Sequence, residues 1–186
     1  MMKRAGLLLA LMLALPASLA IAAGAPPACE LKVLTQDDGA DISAGAWSAT
    51  CVAGSGCAVL GPEVAGRRLQ LARQVEDKRW QIVLNLPHEA DAAAGMQIAI
   101  DDGAAENLPG EFTGARAKGR ALFVRPEVAL VVLDMLKGGK RQARWQYTLK
   151  NGEKQEARFS LQCFAPVLQA AERQLARMRA MKQLGK

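Results

Sequence analysis

Histidine is almost missing from this chain: His88 is the only one among 186 residues. That leaves nothing from which to build the imidazole clusters that zinc sites commonly use. No cysteine sits in a CxxC pair, the spacing of zinc ribbons and of thioredoxin-type redox centres. Aromatic residues make up 4% of the chain, and none lies in its basic last segment, so nucleic-acid bases have no stacking platform there. No uninterrupted apolar run reaches the roughly 20 residues that cross a bilayer. The Gly-rich stretch GAWSATCVAGSGC lacks the strand, loop and lysine order of a phosphate-binding loop.

What is present begins with MMKRAGLLLALMLALPASLAIAAG: Lys3 and Arg4, an apolar stretch from Ala5 to Leu15 ending at Pro16, and small residues around Ala20 and Ala23. This reads as a secretory signal peptide over 1–23, removed from the mature protein. Pro26-Pro27-Ala28 before Cys29 is not the run that precedes a lipidated cysteine. The remaining residues suffice for one domain with its own core. Loss of Lys3 and Arg4 lowers the formal charge from +6 to +4. Arg173, Arg177, Arg179, Lys182 and Lys186 against Glu172 concentrate that excess in 165–186, which leaves the body nearly neutral.

Cys29, Cys51, Cys57 and Cys163 are an even set in an exported context, where disulfides are the default. Of three pairings, Cys51 with Cys57 is favoured, because Val-Ala-Gly-Ser-Gly between them can turn tightly. Cys29 with Cys163 then ties the mature N-terminus to the last strand across a loop of over 100 residues, worth on the order of 4–5 kcal/mol.

Alternation with a period of two marks the strands. Trp80, Ile82, Leu84 and Leu86 face one way between Arg79 and Leu86; Leu69 with Leu71, Trp47 with Ala49 and Cys51, and Met96 with Ile98 and Ile100 repeat the pattern. Residues 75–78 read as a polar hairpin connection. In QARWQYTLKNGEKQEARFSLQCF, partners across the hairpin must share a face. A two-residue Asn151-Gly152 loop would set Trp145 opposite Arg158. A three-residue Lys150-Asn151-Gly152 loop with a left-handed Gly152 sets Trp145 opposite Ala157 and Ala143 opposite Phe159, and is expected.

Pro126, Glu127 and the Lys137-Gly138-Gly139 stop predict a helix near 126–137, although its interior, VALVVLDMLK, would also suit a buried strand. After Phe164, Leu168, Ala171, Leu175 and Met178 recur at helical spacing and predict an amphipathic C-terminal helix. Residues 102–119 read as a long loop around a short strand at Glu111-Phe112-Thr113. The organisation expected is a leader at 1–23, an N-terminal segment at 24–44 tied to the domain, a β-sandwich at 45–164 and a basic helix at 165–186.

Trp47 before the close pair Cys51 and Cys57, IAIDDG at 98–103, FVRPEVALVVLDMLKGGK at 123–140 and RFSLQCFAPVLQA at 158–170 occur in an order that resembles the invasion-associated locus B family of exported bacterial proteins. The resemblance covers about residues 45–171. It implies an immunoglobulin-like antiparallel β-sandwich, a periplasmic or secreted location and, in some pathogens, a part in entering host cells. It implies no known reaction. Two features depart from the family pattern: the second close cysteine pair is missing from PGEFTGARAKGRALFV, and Cys163 stands where a glycine usually precedes the phenylalanine. A relocated Cys29–Cys163 disulfide would account for both, and a divergent family with another role would account for them equally well.

Catalytic constellations are weak. His88 lies beside Glu89 and Asp91, but no serine occupies a nucleophile elbow. Asp101 and Asp102 before Gly103 suit a turn closed by side-chain capping better than acid–base work. The three tryptophans fall on apolar faces, as core residues do. The expectation is a non-enzymatic protein without cofactor or metal. It would act through protein or cell-surface contacts, with Arg173, Arg177, Arg179 and Lys182 offered to an anionic partner or membrane surface. The alternative is a periplasmic accessory protein, an inhibitor or assembly factor, that holds a client through a sheet edge or the 102–119 loop.

Overall fold

The computed structural model of the chain describes residues 29–36 and 38–184. The expected leader, the residues just before Cys29, and Lys186 lie outside the described residues. Two antiparallel sheets pack as a β-sandwich with two helices.

The larger sheet begins as a meander of β1 (Lys32–Gln36), β2 (Gly39–Ala44), β3 (Trp47–Val52), β4 (Gly56–Val64), β5 (Arg67–Gln74) and β6 (Gln81–Asn85). The chain then crosses to the smaller sheet with β7 (Met96–Ile100) and β8 (Glu106–Leu108). It returns as β9 (Thr113–Arg116) and β10 (Ala121–Val124), which extend the larger sheet in the order β6-β10-β9. After helix α1 (Pro126–Gly138), β11 (Gln142–Thr148) and β12 (Lys154–Ser160) complete the smaller sheet, ordered β12-β11-β7-β8, and α2 (Phe164–Leu184) ends the described chain.

Sheet widths explain the helices. At about 4.8 Å per strand the eight-stranded sheet is roughly 34 Å across and the four-stranded one roughly 14 Å. The smaller sheet, through β12, packs chiefly on β4 and β5. The overhanging apolar face of β2, β3 and β4 is covered by α2, and α1 packs beside β6. Ile42, Ala44, Ala49, Val59, Leu168, Ala171 and Leu175 are buried at that seam. Among the described residues nothing covers β1, all five of whose residues are exposed.

The three indoles are core, as their positions in the alternation require: Trp47, Trp80 and Trp145 are each 4% exposed or less. Trp47 packs on Phe164 with ring centroids 4.7 Å apart and donates to the Ser160 carbonyl at 2.8 Å. The last hairpin has the expected register, Trp145 opposite Ala157 and Ala143 opposite Phe159. Its connection is held by Leu149 N–H on Glu153 O at 2.8 Å and Gly152 N–H on Leu149 O at 2.9 Å, with Gly152 at φ +87°.

Several boundaries differ from the sequence reading. Glu111 and Phe112 lie in a 3-10 turn, Gly110–Phe112, and the strand starts only at Thr113, whose hydroxyl donates to the Ala92 carbonyl at 2.6 Å. The 102–119 stretch also contributes β8, so it is more than a loop. Residues 32–44, expected as a tied-down segment, build β1 and β2 of the larger sheet. The apolar 128–136 run is helical, and α2 starts at Phe164, one residue earlier than the boundary expected.

Candidate binding surfaces

Both disulfides pair as the sequence suggests, Cys51 with Cys57 and Cys29 with Cys163. Cys51 and Cys57 lie directly opposite each other on β3 and β4, facing α2, and the Cys57 sulfur packs 3.6 Å from the Ala171 carbonyl. Cys163 sits at φ +67°, a left-handed conformation that glycine adopts without strain. A Cβ on neighbouring Gly45, itself at φ +57°, would lie 3.2 Å from the Cys163 sulfur. Two constrained backbone turns therefore meet at the long bridge.

The cations expected to present α2 to a partner do not share one role. Arg173 and Arg177 are exposed. Arg179 instead folds back on the β5–β6 turn, where its Nε donates to Val75 O at 2.7 Å and a terminal nitrogen donates to Asp77 O at 2.6 Å. Lys182 forms an ion pair with Glu76 of the same turn. The helix end is thereby fastened to the sheet. Met178, the residue before Arg179, is buried.

Asp101 is a capping residue, as its place before Gly103 suggested. Its carboxylate accepts from the backbone N–H groups of Lys140 (3.0 Å), Arg141 (2.7 Å) and Gln142 (2.9 Å), which joins the end of β7 to the start of β11. The bonds from Lys140 and Gln142 chiefly lower its pKa below the ordinary aspartate value. Asp102 pairs with Arg141. His88 is exposed at the rim of an open hollow lined also by Arg67, Glu89, Lys150, Asn151 and Glu153, with no serine among the lining residues. Among the described residues no group of three or more His, Cys, Asp or Glu side chains is placed to hold a metal ion. No helix there is long and apolar enough to cross a membrane.

One surface was not visible in the sequence. Where the β5–β6 turn, β9 and the first residue of α1 meet, a groove of about 550 Å³ carries Arg73, Lys78, Arg79 and Arg116 on its walls against one carboxylate, Asp77. The arginine contacts there go to neutral acceptors: Arg73 to Asp77 O (2.9 Å), Arg79 to Pro126 O (3.0 Å) and Arg116 to the Gln81 side chain (3.5 Å). Arg116 also lies over the Phe123 ring, 5.0 Å from its centroid. Phe123 in turn occupies the space over Gly114, where a Cβ would come within 2.2 Å of the ring. Burial and the nearby charge of Arg179 lower the pKa of Arg73. Comparison of the chain with protein-family models, with curated proteins and with solved structures finds no match.

Proposed function

We propose that the protein is an exported, non-enzymatic binding module of the invasion-associated locus B type, acting through protein or cell-surface contacts in host interaction. Both cysteine pairs are bridged, and this observation carries the reading, because such bonds persist in oxidising compartments outside the cytoplasm. The signal-peptide pattern at 1–23 and the motif order over 45–171 support the same location, periplasmic or secreted. Asp101, the strongest carboxylate candidate for chemistry, is engaged with three backbone N–H groups, which favours a scaffolding role for it.

The test is fractionation of cells that produce the full chain, followed by N-terminal sequencing and thiol titration of the recovered protein. The reading expects an envelope or secreted form beginning near residue 24 with no free thiol; a cytoplasmic form with four thiols rejects it. A second reading, a periplasmic accessory protein for a bacterial client, is favoured by β1, among the described residues an edge strand whose outer main-chain groups can pair with an extended peptide. Affinity capture on the mature protein separates the two by yielding either host-surface components or an envelope client.

A further inference from the structure

We propose that the groove between the β5–β6 turn, β9 and the start of α1 is a binding site for a ligand bearing two or more phosphate groups. Its size lies within the ordinary range for small-molecule sites. Four cationic side chains stand against one carboxylate, an excess of three charges. A phosphate group carries about −1.5 to −2 at neutral pH, so two of them balance that excess. The three guanidiniums are held by neutral carbonyl and amide oxygens. Their positions are therefore fixed by uncharged partners, although Arg73 also feels the carboxylates of Glu172 and Asp77.

The local build favours an anion that several donors can grip at once. Asp77 O accepts from both Arg73 and Arg179, so two like-charged groups converge on one carbonyl oxygen. A bound anion would relieve their repulsion. Across the groove, Arg116 is propped by the Phe123 ring over Gly114. Each planar guanidinium keeps N–H groups for a bidentate contact, which tetrahedral phosphate oxygens match. Free polyphosphate and phosphorylated lipid headgroups offer this same chemistry. The assignment rests on the groove alone and does not depend on export or on a host partner.

The test uses the purified, oxidised protein with three probes at low salt: tripolyphosphate, an aspartate tetrapeptide of similar charge, and vesicles containing cardiolipin, whose headgroup bears two phosphates, with phosphatidylcholine vesicles as the neutral control. Tripolyphosphate should bind in calorimetry, and Arg79→Gln/Arg116→Gln should weaken it about tenfold or more. Arg173→Gln/Arg177→Gln on the exposed side of α2 should change it less than about twofold, as distant screened charges do. Vesicle binding that the groove pair abolishes would identify a headgroup as the source; tripolyphosphate binding alone would identify a free ligand. Lys78→Gln, an exposed turn substitution, should weaken binding about threefold and keeps the test open if the arginine pair disturbs folding. The proposal is overturned if neither phosphate probe binds, if the tetrapeptide binds as tightly as tripolyphosphate, or if only the α2 pair lowers affinity.

Discussion

The two disulfides close loops of very different length and act on opposite problems. Cys51 and Cys57 are six residues apart on neighbouring strands that the sheet already pairs, whereas Cys29 and Cys163 are separated by 134 residues and join the first described residue to the start of α2. By loop-closure entropy the long bridge is worth about 5 kcal/mol and the short one about 2 kcal/mol. Local strand pairing thus makes one bridge nearly redundant for topology. The other supplies a connection that no hydrogen-bond ladder provides, and it does so at a residue in the left-handed region.

The sharpest way to break this contrast is to remove each bridge in turn. Cys29→Ser/Cys163→Ser should lower unfolding free energy by about 5 kcal/mol in denaturant titration, a loss that threatens folding itself. Cys29→Ser/Cys163→Gly should lose about 1 kcal/mol less, because glycine relieves the positive φ. Cys51→Ala/Cys57→Ala should cost about 2 kcal/mol, with α2 still seated. Equal losses for the two doubles would end the comparison.

Asp101 sharpens it from the other side, as a non-covalent tie across about 40 residues. Asp101→Asn keeps one acceptor oxygen and should cost about 1 kcal/mol at neutral pH, no more, since the site is open to water. The folded carboxyl has the lower pKa, so its contribution is present above the unfolded value, near 3.9, and is lost as pH falls through the folded one. The gap between wild type and Asp101→Asn should therefore begin to narrow below about pH 4 and vanish only once pH is under the folded value, while the gap for either cysteine double should not.

Strands that bury one face were legible in the sequence because a half-buried surface writes itself as alternation. Leu69 and Leu71, Ile82 and Leu84, Met96 and Ile98, and the last hairpin all show it. Where the environment is different on physical grounds, the pattern fails. β1 is exposed on both sides and has no apolar face to repeat. β4 is interrupted by Gly61 and Pro62, with a register shift between Leu60 and Glu63. A Cβ at Gly61 would lie 3.0 Å from the Trp47 ring, so a large core residue displaced the side chain that alternation needs.

The binding surface was illegible for a related reason. Arg73, Lys78, Arg79 and Arg116 come together only because β10 pairs with both β6 and β9, a long-range register that local spacing does not encode. The basic run in α2 was visible, but its contacts with Val75, Glu76 and Asp77 depend on how the helix lies on the sheet.

The uncovered first strand has a kinetic consequence. With Leu34 69% and Val33 47% exposed, β1 is kept in place by main-chain bonds to β2 and by the tether just before it at Cys29. Its amides should exchange with deuterated water by local opening, long before those of β3 or β11, which can exchange only when the core itself comes apart. Cutting the Cys29 tether widens that difference by letting the strand leave with its flanking chain.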